Sequence, residues 1–320
     1  MNSGSNQRLN NSPLLLEPSS FDTLLTVQQD YALFLDIDGT LAEFTLDPKD
    51  TVIPKTKLML LQQIQACGVP IAVVTGRSLS EARQLLSPLD LPIAATHGLE
   101  IAFNNTQHVG HDKNVTSAIN SDIDIPELTA IKQAVIRACQ SQEDLLIEDK
   151  PYSIALHYRQ HPKQADLAFS IMNETVKNYP HWRLKQGKYV WEIVPKGADK
   201  GLAILTLLER MQADNELCAI FIGDDMTDEA GFRVVQSSDN ASQNTSTKHK
   251  ALDNFDTPIT GMGIKVGFEP SSAQYCVPDI SAVSILLERF LYHCQKRIAL
   301  SSYTKDNLQS EPLQATRGLR

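Results

Sequence analysis

Short, almost wholly apolar runs recur along this 320-residue chain, and they constrain its fold more than any other sequence feature. Tyr31–Asp36 (YALFLD), Pro70–Thr75 (PIAVVT) and Leu217–Gly223 (LCAIFIG) have the length of strands, and their unbroken apolar character indicates strands covered on both faces. Amphipathic helical stretches alternate with them, for example Thr56–Cys67 and Leu79–Leu86. This alternation predicts an α/β fold with a doubly wound parallel (Rossmann-like) sheet, whose functional side chains gather at the carboxyl ends of its strands.

The stretch 110–194 has a different pattern. Its order of helix, two strands, helix and two strands predicts an inserted α+β module that adds no strand to the main sheet. We therefore expect a core formed by 21–109 and 195–298 and interrupted by this module.

Polar segments rich in Ser, Asn and Gln interrupt or flank the ordered pattern. Residues 1–20 and 299–320 are expected to be flexible tails, because they lack sustained periodicity. Residues 236–256 are expected to form a polar surface insertion between two ordered elements.

Charge and cysteine usage exclude several classes of protein. The net charge is −9 and no cluster of Lys and Arg is present, so a nucleic-acid partner is not expected. No apolar run is long enough to span a membrane, and the polar start lacks the apolar stretch of a secretion signal. Five scattered cysteines without a CxxC pair argue against a zinc site or a disulfide framework, which predicts a cytoplasmic protein.

Two aspartates follow the first predicted strand directly, in Asp36-Ile37-Asp38-Gly39. Residues two apart on an extended chain share a face, so both carboxylates could point at one site, and Gly39 permits a sharp turn. One carboxylate could attack phosphorus while the other protonates the leaving oxygen. A turn with two solvated aspartates is the alternative, because Asp-Gly is a common turn pair.

Thr75 and Lys200 are further candidates for phosphate binding. Thr75 ends a predicted strand in Thr75-Gly76-Arg77, where its hydroxyl and the nearby amides could bind a phosphate oxygen. Lys200 begins a predicted helix and would offset repulsion between neighbouring carboxylates. Taken singly, these residues also fit an ordinary strand end and a solvent-exposed lysine.

A dense acidic cluster, Gly223-Asp224-Asp225-Met226-Thr227-Asp228-Glu229, follows a third predicted strand. Carboxylates crowded at a strand end repel one another unless a cation lies among them. Mg²⁺ binds one or two protein carboxylates together with phosphate and water oxygens, so this cluster is a candidate metal site. Asp228 and Glu229 also suit the first turn of a helix, which leaves capping as a second role.

In this order, the four motifs resemble those of the haloacid dehalogenase superfamily of phosphohydrolases, over about residues 30–100 and 195–295. The resemblance implies that Asp36 is the nucleophile and that Asp38 is the general acid and then the general base. It further implies that Thr75 and Lys200 bind the phosphate.

The same resemblance implies a Mg²⁺ cofactor. Its ligands would be Asp36, the backbone carbonyl of Asp38, and Asp224. Asp225 and Asp228 would occupy supporting positions.

Several stretches are similar to those of the bacterial trehalose-6-phosphate phosphatase family. In chain order they are His97-Gly98-Leu99-Glu100, Glu148-Asp149-Lys150, His157-Tyr158-Arg159, Gly187-Lys188-Tyr189-Val190-Trp191-Glu192-Ile193 and the run from Gly223 to Phe232. This similarity implies hydrolysis of trehalose 6-phosphate to trehalose and phosphate, with the inserted module selecting the substrate. It also implies a metabolic link to a trehalose-phosphate synthase.

Nine residues are candidates for substrate binding: Gly76, Arg77, His97, Glu100, Glu148, Lys150, Arg159, Lys188 and Glu192. Lys188 and Glu192 are four residues apart, a spacing that would place both side chains on one face of a strand. Lysine and glutamate recognise sugar hydroxyls through charge-assisted hydrogen bonds. For Lys150 and Arg159, a solvated surface charge is the competing interpretation.

Other functions stay open at the level of sequence. A related capped enzyme could act on sucrose phosphate, mannosylphosphoglycerate or a hexose phosphate. A catalytically silent regulator could bind a sugar phosphate, although binding alone would not need Asp38. A phosphomutase would have to shield its intermediate from water.

Overall fold

The computed structural model describes residues 12–103, 123–211, 217–237 and 259–309, with side chains up to Ser301. Its strands and helices, in chain order, are β1 (Leu14–Leu15), α1 (Pro18–Leu24), β2 (Asp30–Leu35), α2 (Lys55–Ala66), β3 (Ile71–Val74), α3 (Leu79–Leu86), β4 (Ile93–Ala95), β5 (Glu100–Ala102), α4 (Ile125–Ala138), β6 (Leu146–Asp149), β7 (Ile154–His157), α5 (Ala165–Val176), β8 (Trp182–Gly187), β9 (Val190–Pro195), α6 (Lys200–Met211), β10 (Leu217–Gly223), α7 (Glu229–Val235), β11 (Gly261–Val266), β12 (Tyr275–Val277) and α8 (Ile280–Gln309).

The larger sheet has eight strands in the order β1-β12-β11-β10-β2-β3-β4-β5. All neighbours are parallel except β4 and β5, so the predicted Rossmann-like sheet is confirmed with one antiparallel strand at its edge. β4 and β5 are joined by the short turn Thr96–Gly98. That connection is too short for the crossover that a parallel pair requires, and the chain therefore reverses direction.

Helices cover both faces of this sheet, which explains why its strands are apolar throughout. Leu33 and Leu35 of β2 belong to an apolar cluster with Phe290 of α8. Phe34 points to the opposite face and belongs to a second cluster with Ile204 of α6. Alternate side chains of a strand point to opposite faces, so a strand with helices on both sides must be apolar at every position.

The smaller sheet has four antiparallel strands in the order β6-β7-β9-β8. We call this sheet, together with α4 and α5, the cap. Its own apolar cluster includes Leu128 and Ile131 of α4, Met172 of α5 and Trp182 of β8. The cap adds no strand to the larger sheet, as the periodicity of the sequence predicted.

The polar segment at the amino end is more ordered than expected. The prediction of a flexible tail over 1–20 is wrong from Leu14 onward, because β1 pairs with β12 and α1 begins at Pro18. Leu16 and Phe21 are 3% and 2% exposed and pack into the core, so two apolar side chains anchor a segment that is otherwise polar. Residues 1–11 lie outside the described residues.

Two other predicted boundaries also differ. α8 is thirty residues long and continues to Gln309, so the segment 299–309 is helical and not a tail. Gln236 belongs to the core, because its side-chain oxygen accepts the amides of Gly263 and Gln274. Residues 238–256 of the predicted insertion and residues 310–320 lie outside the described part of the chain.

Among the described helices, none combines the length and the apolar character that a membrane span requires.

Replacing Phe21 by Ala should lower the free energy of unfolding by about 3–5 kcal/mol, because the substitution leaves a cavity in the core. Equilibrium unfolding in urea measures this effect. Leu14→Ala is the matched control in the same segment: its side chain is 69% exposed, and its effect should stay within about 0.5 kcal/mol. Equal effects of the two substitutions would contradict the packing of this segment.

Candidate active site

A buried lysine joins the carboxyl ends of two neighbouring strands. Lys200, at the start of α6, lies 3.1 Å from Oδ2 of Asp36 and 2.7 Å from Oδ1 of Asp228. Asp36 follows β2 directly, Asp228 precedes α7, and the Lys200 side chain is 1% exposed. Burial alone would lower the pKa of Lys200, but the two carboxylates outweigh it and raise that pKa. Lys200 is therefore a permanent cation at the centre of an acidic site.

Asp228 supports the loop that carries the other aspartates. Its Oδ2 accepts the backbone amides of Asp224 and Asp225, both at 3.0 Å. A side chain at Gly223 would overlap the Asp228 carboxylate, so this close approach requires glycine. With Lys200 on one oxygen and two amides on the other, Asp228 holds the loop that carries Asp224 and Asp225.

Asp36, Asp224 and Asp228 form a cluster that could bind a metal ion. Each offers a carboxylate oxygen, and these oxygens lie within 4.8 Å of one another. Burial, reinforced by the charges of Asp225 and Asp228, raises the pKa of Asp224 to about 7. Hard oxygen ligands that repel one another suit a divalent cation such as Mg²⁺. Because Asp228 already accepts three hydrogen bonds, Asp36 and Asp224 are the side chains available to the ion.

Gly39 allows Asp224 to approach the loop after β2. Its backbone has a φ of +74°, and a Cβ at this position would overlap the Asp224 carboxylate. The backbone of Asp38, whose carbonyl was the third predicted metal ligand, is therefore next to Asp224.

The Asp38 carboxylate is not part of the acidic cluster and pairs with Arg77. Arg77 donates from Nε to Oδ2 and from Nη2 to Oδ1, both at 2.7 Å. Its Nη2 also contacts the carbonyl oxygen of Pro48 and the hydroxyl of Thr51. Arg77 was predicted to bind substrate. In the structure its guanidinium instead forms hydrogen bonds with Asp38, the predicted general acid and base. The sequence alone did not reveal this pair.

The segment Thr75-Gly76-Arg77, which was predicted to bind phosphate, lies where the core meets the cap. Thr75 is 1% exposed and lines the cavity, and its hydroxyl oxygen accepts the backbone amide of Arg77. The carbonyl oxygen of Gly76 accepts Nζ of Lys150 from the cap at 3.1 Å. A Cβ at Gly76 would overlap the ring of His97, so glycine is needed for this packing.

Glu192 of β9 is the most extensively bonded carboxylate on the cap side of the cavity. It accepts the hydroxyl of Ser153 at 2.5 Å and Nζ of Lys150 at 3.3 Å. Nε2 of His97, from the core, lies 3.1 Å from Oε2. Burial would raise the pKa of Glu192, but the charge of Lys150 and the hydrogen bonds from His97 and Ser153 outweigh it and hold that pKa below its usual range. Burial lowers the pKa of His97 to about 4, so this histidine is neutral at pH 7.

A second chain of contacts begins at Glu148 of β6. Oε2 of Glu148 lies 2.7 Å from Nε2 of His157, whose Nδ1 lies 2.8 Å from Nη2 of Arg159. Arg159 then reaches the core, where Nη1 donates to the carbonyl oxygen of Thr45 at 2.7 Å and the guanidinium lies 4.4 Å from the centre of the Phe44 ring. Lys150 and Arg159 are therefore cavity residues and not solvated surface charges.

Lys188 lines the cavity, but its position in the fold differs from the predicted one. It lies with Tyr189 in the two-residue turn between β8 and β9, so it does not share a strand face with Glu192. Its Nζ lies 3.3 Å from Oδ2 of Asp224 and 5.3 Å from the centre of the Phe44 ring. The hairpin turn, and not the spacing of four residues, brings Lys188 to the cavity.

Glu100 does not line this cavity, in contrast to its predicted role. It begins the antiparallel strand β5, and its Oε2 accepts the hydroxyl of Thr96 at 3.2 Å. The reversal of the chain after β4 turns this side chain away from the site.

Sequence reasoning also missed cavity residues. Phe44 and Lys185 line the cavity together with the predicted residues. Lys185 faces Glu192 across the β8–β9 pair. A correct prediction of the β8–β9 hairpin, with its turn at Lys188 and Tyr189, would have placed Lys185 opposite Glu192. No local sequence pattern marks Phe44.

The fold is that of hydrolases of the haloacid dehalogenase type. A haloacid dehalogenase-like hydrolase from Bacteroides thetaiotaomicron has the same fold, with a TM-score of 0.52 over 82% of this chain and 99% of that one. The C-terminal domain of trehalose-6-phosphate phosphatase from C. albicans gives a TM-score of 0.70, with 19% identity over 89% of this chain and 99% of that domain.

Sequence similarity narrows the class further. The trehalose-phosphatase family matches residues 34–258. The trehalose-6-phosphate phosphatase of Escherichia coli (strain K12) is 35% identical over 255 residues, which cover 78% of this chain and 84% of that enzyme. The chain belongs to the trehalose-phosphatase family, which confirms the resemblance found in its motifs.

Gly39→Ala should reduce phosphatase activity by about a hundredfold or more, because the new methyl group displaces Asp224 and small misplacements in an active site are costly. Steady-state phosphate release measures this loss. Gly68→Ala is the matched control: Gly68 also has a positive φ, of +83°, but a methyl group there would project into open space, with nothing within 4 Å beyond its chain neighbours. Both variants should lose some stability, and only Gly39→Ala should lose activity. A fully active Gly39→Ala variant would contradict the geometry of this loop.

Proposed function

We propose that this chain hydrolyses trehalose 6-phosphate to trehalose and phosphate through a phosphorylated Asp36. One observation carries the proposal: a single cavity is lined by Asp36 and Lys200 from the core and by Glu148, Lys188 and Glu192 from the cap. The core side offers the groups that phosphoryl transfer needs, and the cap side offers charged groups suited to the hydroxyls of a disaccharide.

In the first step, a carboxylate oxygen of Asp36 forms a bond to phosphorus, and the bond between phosphorus and the sugar oxygen breaks. Asp38 gives its proton to the departing sugar oxygen, and Lys200 stabilises negative charge near the reacting oxygens. To deliver that proton, the Asp38 carboxyl group must leave its bidentate pair with Arg77.

In the second step, Asp38 accepts a proton from water, the water oxygen bonds to phosphorus, and the phosphate leaves Asp36. We propose that Asp36, Asp224 and the backbone carbonyl of Asp38 bind Mg²⁺. A bound divalent cation would stabilise the ionised carboxylates and the charge on the phosphoryl oxygens. Asp225 and Asp228 maintain the loop that presents Asp224.

The remaining parts of the proposal concern the cellular setting. Among the described residues the five cysteines form no disulfide, which supports a reducing compartment such as the cytoplasm. The substrate must come from an enzyme that joins a glucosyl unit to a glucose phosphate, so a metabolic link to a trehalose-phosphate synthase is part of the proposal.

Phosphate release from trehalose 6-phosphate should greatly exceed release from sucrose-, glucose- and mannose-6-phosphates under the same conditions with Mg²⁺. EDTA and the substitution Asp36→Asn should each abolish it, because each removes a group that the transfer needs. Preference for another sugar phosphate would keep the chemistry and overturn the assignment of the cap residues. No release from any of them would favour a regulator that only binds the sugar phosphate.

Magnesium should raise the melting temperature of the EDTA-treated wild type and leave that of Asp224→Asn nearly unchanged, because a ligand that binds only the folded state stabilises it. In EDTA at pH 8, Asp224→Asn should melt above the wild type. The pKa of Asp224 is raised to about 7, so above that pH the folded protein carries a buried charge that the variant lacks. Thermal melting with and without Mg²⁺ decides both points; an equal magnesium shift in the two proteins would exclude Asp224 as a ligand.

A further inference from the structure

Six lysine and arginine side chains line the cavity, and among the residues that the structure describes five of them have a hydrogen bond or an ion pair. These five are Arg77 with Asp38, Lys150 with Glu192, Arg159 with Thr45, Lys188 with Asp224 and Lys200 with Asp36 and Asp228. The sixth is Lys185, for which the described residues provide neither a hydrogen bond nor an ion pair. A ligand can therefore contact Lys185 without breaking an existing contact.

The position of Lys185 places it near the phosphoryl end of the cavity. It lies on β8 directly across from Glu192, on the side of the hairpin whose Gly187 approaches the Asp225 carboxylate. Burial, reinforced by the charge of Lys200, lowers the pKa of Lys185 to about 8. Lys185 is thus a partly desolvated cation within the field of the catalytic lysine.

The charge of the site also favours Lys185 as a partner of the bound phosphate, beside the Mg²⁺ ion that we propose there. Lys200 is already shared between the carboxylates of Asp36 and Asp228. A phosphate ester brings about two more negative charges at neutral pH. An unpaired, partly buried ammonium group gains much from an anionic partner, because burial without one is costly.

We propose that Lys185 binds a non-bridging phosphate oxygen of the substrate from the cap side of the cavity. This inference rests on the proposed function, since it assigns a contact to the same substrate. It divides phosphate binding between the two modules: Thr75 and Lys200 act from the core, and Lys185 acts from the cap. Lysine suits this role as a compact point charge.

The test compares Lys185→Gln with Lys185→Arg, which keeps the charge. Lys163→Gln is the matched control, because it removes an exposed lysine of the same cap. With Lys185→Gln, the KM for trehalose 6-phosphate and the inhibition constant of inorganic phosphate should both rise by about tenfold to a hundredfold, the range for a lost hydrogen bond to a charged group. Inhibition by trehalose, which has no phosphate, should not change. Lys185→Arg should recover part of the loss, and Lys163→Gln should match the wild type.

Three results separate this inference from the proposed function. If the wild type does not hydrolyse trehalose 6-phosphate, the proposed function fails, and calorimetric binding of inorganic phosphate to the wild type and to Lys185→Gln still tests Lys185. If the wild type is active and Lys185→Gln binds phosphate equally well, the inference is wrong. If trehalose inhibition weakens while phosphate inhibition does not, Lys185 contacts the sugar and the inference is also wrong. Unchanged melting temperatures show that the variants are folded.

Discussion

The ion cluster of Lys200 with Asp36 and Asp228 is the interaction on which the site depends. β2 and β10 are adjacent and parallel, with Leu35 opposite Ile222, so the aspartates that follow them emerge side by side. Buried carboxylates this close repel one another and lose hydration, and a lysine that is 1% exposed offsets part of both costs. Lys200 therefore offsets part of the repulsion among the carboxylates that the two neighbouring loops bring together.

The contacts that join the cap to the core are made by the same side chains that line the cavity. Lys150 donates a hydrogen bond to the carbonyl oxygen of Gly76, and Arg159 donates one to the carbonyl oxygen of Thr45. Glu192 contacts His97. Opening of the cap would break these contacts. A sugar that forms hydrogen bonds with the same groups would compensate for part of that loss. If the proposed substrate binds these groups, its recognition and the closure of the cap would be energetically coupled through one set of charged residues.

The sequence predicted most of the core site because its geometry follows from the fold. Parallel strands end at one edge of a sheet, so apolar runs followed by Asp36, Thr75 and Asp224 were sufficient to bring these residues together. The polar segment around Leu16 gave no periodic signal, because only a few of its side chains are buried. The position of Glu100 depends on the chain reversal after β4, and that of Lys188 depends on the two-residue turn after β8. A shift of one residue in such a connection moves a side chain to the opposite face of the sheet, so the sequence did not predict these positions correctly. The Arg77–Asp38 pair joins separate loops, which no spacing along the chain reveals.

The central claim is that Asp36 accepts the phosphoryl group, and rapid acid quenching followed by mass spectrometry tests it most directly. Wild-type protein and Asp38→Asn would be mixed with trehalose 6-phosphate and Mg²⁺, quenched, and digested. The account predicts one phosphoryl group on the peptide that contains Asp36, with a longer lifetime in Asp38→Asn because the base for hydrolysis is gone. Phosphorylation of a different residue, or full turnover by an Asp36→Asn variant, would contradict it.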